Sequence, residues 1–404
     1  MSEPAGSNAL AERTAQRFPW YRGLPGWNAA QPASLPLITA SVLEAFYYTD
    51  HNPLALRGDL YRYRTSGTSA GVRKTIFYTE RDEAAYLRIK EKVFREILGN
   101  RGYRTVVSDM GTGHAEATAV SVFRSLGMEV HTLSYREPVG RHVERLHRIR
   151  PEVLYTMPSI LDRILLAAED PRAFGVRQVV LVGEIASPGW MRQAAARLGI
   201  EPDAIVDTYG SIEIGTIAYY DHRYGRYLLA EGLEAEGIGA ETLGEAYEPL
   251  PAGEQVLVLT STVREAFPAL RYVTYDVVRD LRTIMVAGEP RQSFGSIVKR
   301  IGPDLKHGEK ISIYDIENAV YRHIRDAGVR VNVSGNGLRV HLYGVSEADE
   351  ALLGRVREEL QNRIPEIGAM IRGGMLAGIE VVAEAGFDDE RSRSAVKNKK
   401  IFYT

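Results

Sequence analysis

The feature that most constrains how this chain can fold is a run of alternating strand and helix signals between Thr105 and Thr208. TVVSD (Thr105–Asp109), Met128–His131, Val153–Thr156, QVVLV (Gln178–Val182) and AIVDT (Ala204–Thr208) read as strands. Between them, His114–Leu126, Arg141–Arg150, Ile160–Ala168 and Trp190–Leu198 read as helices. Parallel neighbours need a crossover of helix length, so this alternation predicts an α/β region with a mainly parallel sheet. QVVLV is apolar throughout, as a strand covered on both faces must be. Ligands of such sheets sit beyond the carboxyl ends of the strands. That singles out Gly111 to His114, Gly183–Glu184 and Asp207 to Glu213.

Two other textures flank this region. On the N-terminal side, RFPWYRGL and SLPLITASVLEAFYY place prolines and aromatics around a short helix, which suggests a wrapping arm. Apolar residues at helical spacing (Ala84, Leu87, Ile89, Val93, Phe94, Ile97, Leu98) predict a helix over Glu80–Asn100. From about residue 225 the strand-like runs shorten and are punctuated by turns, which predicts a β-rich subdomain. Beyond it, an amphipathic helix (Asp315–Ala327), a second helix (Ser346–Ile364) and the runs RVNVSG, LRVHLYG and IEVVAEAG predict a small α+β domain. The expected division is a large domain over residues 1–298 and a small mobile one over 299–404, with a hinge at Gly302-Pro303.

Composition narrows the chemistry. Of 404 residues, 45% are hydrophobic and 25% charged, ordinary values for a globular protein with a large core. A net charge of -2 gives no electrostatic case for nucleic acid or an anionic membrane. No cysteine is present, which excludes disulfides, thiolate–zinc sites and a cysteine nucleophile. The N-terminus lacks the apolar core of a signal peptide and no apolar run has spanning length, so a cytoplasmic protein is expected. There is no repeat of fixed period. A homodimer is left open.

The most distinctive stretch is YRYRTSGTSAGVRK (Tyr61–Lys74), where hydroxyls and glycines precede a basic pair. Backbone N–H groups and hydroxyls in such a loop can wrap a polyphosphate. The bland alternative is a flexible Ser/Gly hairpin loop. The P-loop pattern is excluded, because Val72 and Arg73 stand where Gly and Lys are required. MGTGHAEATA likewise departs from a dinucleotide fingerprint at Glu116, so it reads as a strand-to-helix turn without dinucleotide.

In order along the chain, TSGTSAGVRK, Gly183-Glu184, DTYGSIEIG, RYVTYD, KRIGPDLKHGEKISIYDIE and a lysine near the C-terminus form one series. Each is weak alone; six in this order resemble the adenylate-forming superfamily of acyl-CoA synthetases. FPWYRGL, LPLITASVLEAF and SDMGTGHAEATAVSVFRSLGMEV are similar to the phenylacetate–CoA ligase branch, with its relatives that adenylate a deazaflavin coenzyme.

The resemblance implies roles. A carboxylate attacks the α-phosphate of ATP and pyrophosphate leaves; both reactants are anions, so the site must cancel charge and align them. Ser66, Gly67, Thr68, Gly71 and Lys74 would hold the β- and γ-phosphates, in a loop one residue (Ala70) longer than the family form. Gly183, Glu184, Asp207, Thr208, Tyr209 and Gly210 would frame adenine, Asp276 the ribose hydroxyls, and Lys299 and Arg300 would lie at the junction beside the nucleotide. Glu213 would ligate Mg²⁺. Outside the resemblance, Glu213 reads as a helix-start glutamate, Tyr209 as a core aromatic and Asp276 as an aspartate in a surface turn. Gly111 and His114 would line the acyl pocket; the alternative for His114 is a helix N-terminus with no ligand role. The other histidines show no metal-ligand spacing.

Two departures stand out. Ile212 occupies the place of a usual Thr or Ser, with Ser211 one position earlier; on an extended segment the two would point to opposite sides. In RSRSAVKNKKIFYT, Lys397 falls at the place of the family's catalytic lysine, with Val396 in place of Gly and Lys399 and Lys400 as alternatives. The bland reading is a solvated basic tail. The expected reaction is ATP- and Mg²⁺-dependent activation of an aromatic or compact carboxylic acid, followed by transfer to coenzyme A. The alternatives are transfer to an amine, giving an amide, and a nucleotide-binding homologue without catalysis.

Overall fold

The computed structural model describes residues 4–28, 35–64, 74–110, 114–245, 247–301, 313–324, 327–334, 336–345, 349–374, 376–384 and 401–403. The chain divides into two compact units, Met1–Val93 with Gly210–Asp304, and Phe94–Tyr209 with Leu305–Thr404. The architecture is the expected one: a mixed α/β region with a substantial, largely parallel sheet, β-rich elements after it, and a smaller C-terminal α+β part. No helix among the described residues is long and apolar enough to cross a membrane.

The first unit is mostly antiparallel. One sheet has the order Leu233–Ile238, Glu254–Ser261, Tyr272–Arg279, Ser296–Arg300. A second ladder runs Arg282–Val286, Glu289–Phe294, Arg226–Leu229, Gly215–Asp221. A hairpin pairs Tyr61–Arg64 with Thr75–Tyr78. The N-terminal arm does wrap: Phe18, Tyr21 and Tyr47 are buried, and the Tyr21 and Tyr47 hydroxyls donate to the carbonyls of Leu270 (2.5 Å) and Ala266 (2.7 Å). The helix Glu80–Leu98 starts with a reciprocal cap, Asp82 N–H to Thr79 Oγ1 at 3.0 Å and Thr79 N–H to Asp82 Oδ2 at 2.9 Å.

The second unit contains the parallel strands in the order Glu129–Thr132, Thr105–Asp109, Val153–Thr156, Gln178–Val182, Ile205–Ser211. The helices His114–Ser125, Val139–Ile149, Pro158–Ala167 and Pro188–Leu198 make the crossovers. Pro188–Leu198 shows why its ends fall where they do. Ser187 accepts the Trp190 N–H, proline fills the first turn, and Gly199 (φ 70°) closes the helix in the left-handed region. The C-terminal part joins the strands Gly378–Glu384, Gly337–Tyr343, Gly328–Ser334 and Ile401–Tyr403 to the helices Ile313–Val320, Glu350–Arg363 and Pro365–Arg372. Ile316, Val320, Val331, Val340, Leu342, Val356 and Leu360 form its core.

Two expectations are revised. The helix expected over Asp315–Ala327 ends at Val320, where the chain tightens into a turn with His323 N–H on the Val320 carbonyl at 3.0 Å. Asp276 is not in a surface turn but in the middle of the strand Tyr272–Arg279. Ile401–Tyr403 pairs in parallel with Val331–Val333, and Lys397, Lys399 and Lys400 lie outside the described residues. The expected hinge at Gly302-Pro303 lies outside the described residues.

Candidate active site

The sequence-derived site residues fall in both units, and each group has its own geometry. In the second unit, Gly183 follows the strand Gln178–Val182 with φ 84°, a conformation that favours glycine. Glu184 then turns its carboxylate onto the helix Pro158–Ala167, accepting from Ser159 N–H at 2.9 Å and Ser159 Oγ at 2.8 Å. That helix has Met157 at its N-cap, which offers no side-chain acceptor, so Glu184 supplies one from a distance. Asp207 is buried, and the Thr208 hydroxyl donates to the Leu181 carbonyl of the neighbouring strand at 2.5 Å. Thr208 is therefore committed to the sheet through its side chain. Tyr209 is half-buried, not a core aromatic, and Gly210 is exposed.

At the carboxyl end of the strand Thr105–Asp109 lies a buried pair that sequence reading missed. Asp109 Oδ2 meets His142 Nδ1 at 2.9 Å, and His142 Nε2 meets the Glu137 carbonyl at 3.2 Å. Burial opposes charge on His142, but its hydrogen bond to Asp109 and the charge beside it outweigh that and hold the imidazole above its ordinary range. Burial in turn pushes the Asp109 carboxyl above its ordinary range, and the imidazole beside it acts in the opposite direction. The two residues stand 33 positions apart, with no local signal linking them. His114 is the first residue of its helix and half-buried, while Gly111 lies outside the described residues.

In the first unit, Lys74 is engaged rather than free. Its Nζ lies 2.9 Å from Glu44 and 4.9 Å from the Tyr48 ring centre. Ser66, Gly67, Thr68 and Gly71 lie outside the described residues, as does Lys397. The strand Ile205–Ser211 ends at Ser211, so the alternation argument that set Ser211 against Ile212 stops there. The chain turns through Ile212, Glu213 and Ile214, and Ser211 Oγ accepts the Ile214 N–H at 3.3 Å, which holds its oxygen at the turn while its O–H remains a donor. Asp276 pairs in register with Arg300, whose guanidinium stands 4.0 Å from its carboxylate. Lys299 is the partner of Val277. The strand is irregular here: Tyr275 has φ 62°, in the left-handed region, and the register shifts between Val277 and Val278.

Among the described residues no group of three or more His, Asp or Glu is arranged to hold a metal ion. Glu213 offers one half-exposed carboxylate. A single carboxylate suits Mg²⁺, which keeps its waters and takes other oxygens from nucleotide phosphates, and does not suit an all-protein metal cage.

Residues 306–387 match the model of the fumarate–diaminopropanoate ligase C-terminal domain. The chain is 33% identical over 370 residues to fumarate–(S)-2,3-diaminopropanoate ligase of Enterobacter agglomerans, covering 90% of this chain and 91% of that one. It is 26% identical over 273 residues to phenylacetate–coenzyme A ligase of Thermus thermophilus, covering 62% of this chain and 58% of that one. In fold it is similar to 2-hydroxyisobutyryl-CoA ligase in complex with 2-HIB-AMP, with a TM-score of 0.76 at 15% identity over 99% of this chain and 88% of that one. Identity at this level along nine-tenths of both chains, with the six motifs in order, has one meaning: the chain belongs to the family of fumarate–(S)-2,3-diaminopropanoate ligase, within the adenylate-forming ligase superfamily.

Proposed function

We propose that this ligase activates a small dicarboxylic acid as its acyl-adenylate and passes the acyl group to the amine of a diamino acid, forming an amide. In the first step a carboxylate oxygen bonds to the α-phosphorus of ATP as the bond to pyrophosphate breaks. In the second the amine nitrogen bonds to the acyl carbon as AMP departs. The carrying observation is the identity to the fumarate–diaminopropanoate ligase, which extends through both units and includes the match to that enzyme's C-terminal domain. Asp276 holds the ribose hydroxyls, Glu184 and Tyr209 frame adenine, and Lys397 bridges the carboxylate and α-phosphate in the first step. Mg²⁺ at Glu213 would neutralise phosphate charge. The working division is a large domain through residue 298 and a small one from 299.

Transfer to coenzyme A is the second reading, favoured by the likeness to phenylacetate–coenzyme A ligase. ATP–pyrophosphate exchange across mono- and dicarboxylic acids tests the first step. Fumarate or a close dicarboxylate is expected to give the fastest exchange; preference for an aromatic monocarboxylate would overturn the assignment of the acid. Product analysis with 2,3-diaminopropanoate or coenzyme A then separates amide from thioester. No exchange with any acid would leave a nucleotide-binding protein without catalysis.

A further inference from the structure

Two side chains outside the motif DTYGSIEIG grip the turn that carries Glu213. The Tyr78 hydroxyl donates to the Ile212 carbonyl at 2.6 Å, and Arg264 Nε donates to the Glu213 carbonyl at 2.8 Å. Each of the two is itself fixed. The Arg264 guanidinium carbon stands 3.8 Å from the Tyr78 ring centre, and its Nη2 donates to the Phe77 carbonyl at 3.0 Å. Its Nη1 lies 2.7 Å from Asp82. Asp82 in turn accepts the backbone N–H groups of Thr79 (2.9 Å), Glu265 (2.6 Å) and Ala266 (2.9 Å). Tyr78 and Asp82 are almost wholly buried, and Arg264 is 9% exposed.

The turn has little room to shift against this grip. A Cβ at Gly210 would stand 2.6 Å from the Gly215 carbonyl oxygen, and one at Gly215 would stand 2.6 Å from the Tyr86 ring. Both ends of the turn are therefore in close contact that only glycine allows. Its middle is held through two carbonyls, by donors whose hold is indifferent to the side chain at position 212. That gives a physical reason why isoleucine is tolerated there: the shape of the turn does not depend on a hydroxyl at that position.

We propose that Tyr78 and Arg264 are positioning residues for Glu213, acting through the turn's backbone to aim its carboxylate at metal-bound phosphate. This rests on the role given to Glu213 under Proposed function. Tyr78→Phe removes one donor and keeps the ring. Two measurements on the full chain test it, neither of them turnover. Hydrogen exchange of the Glu213 and Ile214 amides in the nucleotide-free protein should quicken by about tenfold, as for one lost hydrogen bond. The Mg²⁺ concentration that half-saturates the thermal shift produced by a non-hydrolysable ATP analogue should rise by about fivefold or more. In a Glu213→Gln background the same Tyr78→Phe change should leave that Mg²⁺ midpoint where Glu213→Gln alone puts it. Arg264→Lys, which keeps a cation facing Asp82 but not the planar donor fork, should shift both readouts in the same direction.

An unaltered Mg²⁺ midpoint in Glu213→Gln would overturn the metal-ligand role and the proposal with it. A raised midpoint in Glu213→Gln with none in Tyr78→Phe, or with additive effects in the double variant, would overturn only the positioning. If Tyr78→Phe fails to fold, Arg264→Lys takes its place in both measurements, and an unchanged midpoint there overturns the positioning in the same way.

Discussion

Each unit holds a buried carboxylate–cation pair, alike in burial and different in what the cation can do. In the first, Arg264 and Asp82 are 2.7 Å apart with side chains 3% and 0% exposed. In the second, His142 and Asp109 are 2.9 Å apart with the same two exposures. Asp82 has both oxygens engaged, Oδ1 by Glu265 N–H and Oδ2 by Thr79 and Ala266 N–H. Asp109 Oδ1 has no hydrogen-bond partner among the described residues. Arginine cannot give up its proton, whereas histidine can. The first pair is thus a fixed charge built into a scaffold, and the second is a charge that solution pH can remove. Burial alone does not tell the two apart; the identity of the cation does.

The comparison is sharpest where one partner is removed. Asp82→Ala leaves a guanidinium that must stay charged, along with three backbone donors, so a loss of about 3–5 kcal/mol is expected in urea denaturation. A loss below about 1 kcal/mol would mean that water reaches Arg264 and that the pair is not a buried scaffold. His142→Asn should cost less, about 2–3 kcal/mol near pH 6, because the stranded Asp109 can neutralise itself by taking a proton. Equal losses in the two variants would break the distinction.

A pH series is the next test. Because the folded-state pKa of His142 is raised, its contribution is fully present below the unfolded value of about 6.5 and is lost as pH rises through the folded value. The stability gap between the natural protein and the double variant His142→Asn/Asp109→Asn, in which no stranded carboxyl titrates, should therefore narrow as pH climbs above about 6.5. The gap for Asp82→Ala should stay flat over the same range; a slope there would contradict the fixed-charge reading. The smallest effect belongs to Asp109→Asn, which keeps an oxygen acceptor for a neutral imidazole. It should cost about 1 kcal/mol at neutral pH and flatten the dependence on His142 ionisation, as followed by the ring resonances in NMR.

What could be read in the sequence and what could not follows the range of the interactions. QVVLV announces a strand covered on both faces, and the structure buries it so. The helix–strand alternation is likewise local, since it comes from side-chain period and caps. Asp276 was misplaced in a turn because a left-handed Tyr275 inside a strand leaves no mark on composition. The hold of Tyr78 on Ile212 spans 134 positions, and Glu184 reaches Ser159 across 25; neither has a periodicity to betray it. The motif DTYGSIEIG names the residues of the turn, but the side chains that hold its carbonyls lie outside it, with no motif of their own.

The pairing of Ile401–Tyr403 with Val331–Val333 also decides which backbone groups of the C-terminal sheet stay open. Ile401–Tyr403 is an edge strand of three residues beside the seven of Gly328–Ser334. So short an edge offers few unpaired N–H and C=O groups, which makes this side of the sheet a poor template for pairing with another chain.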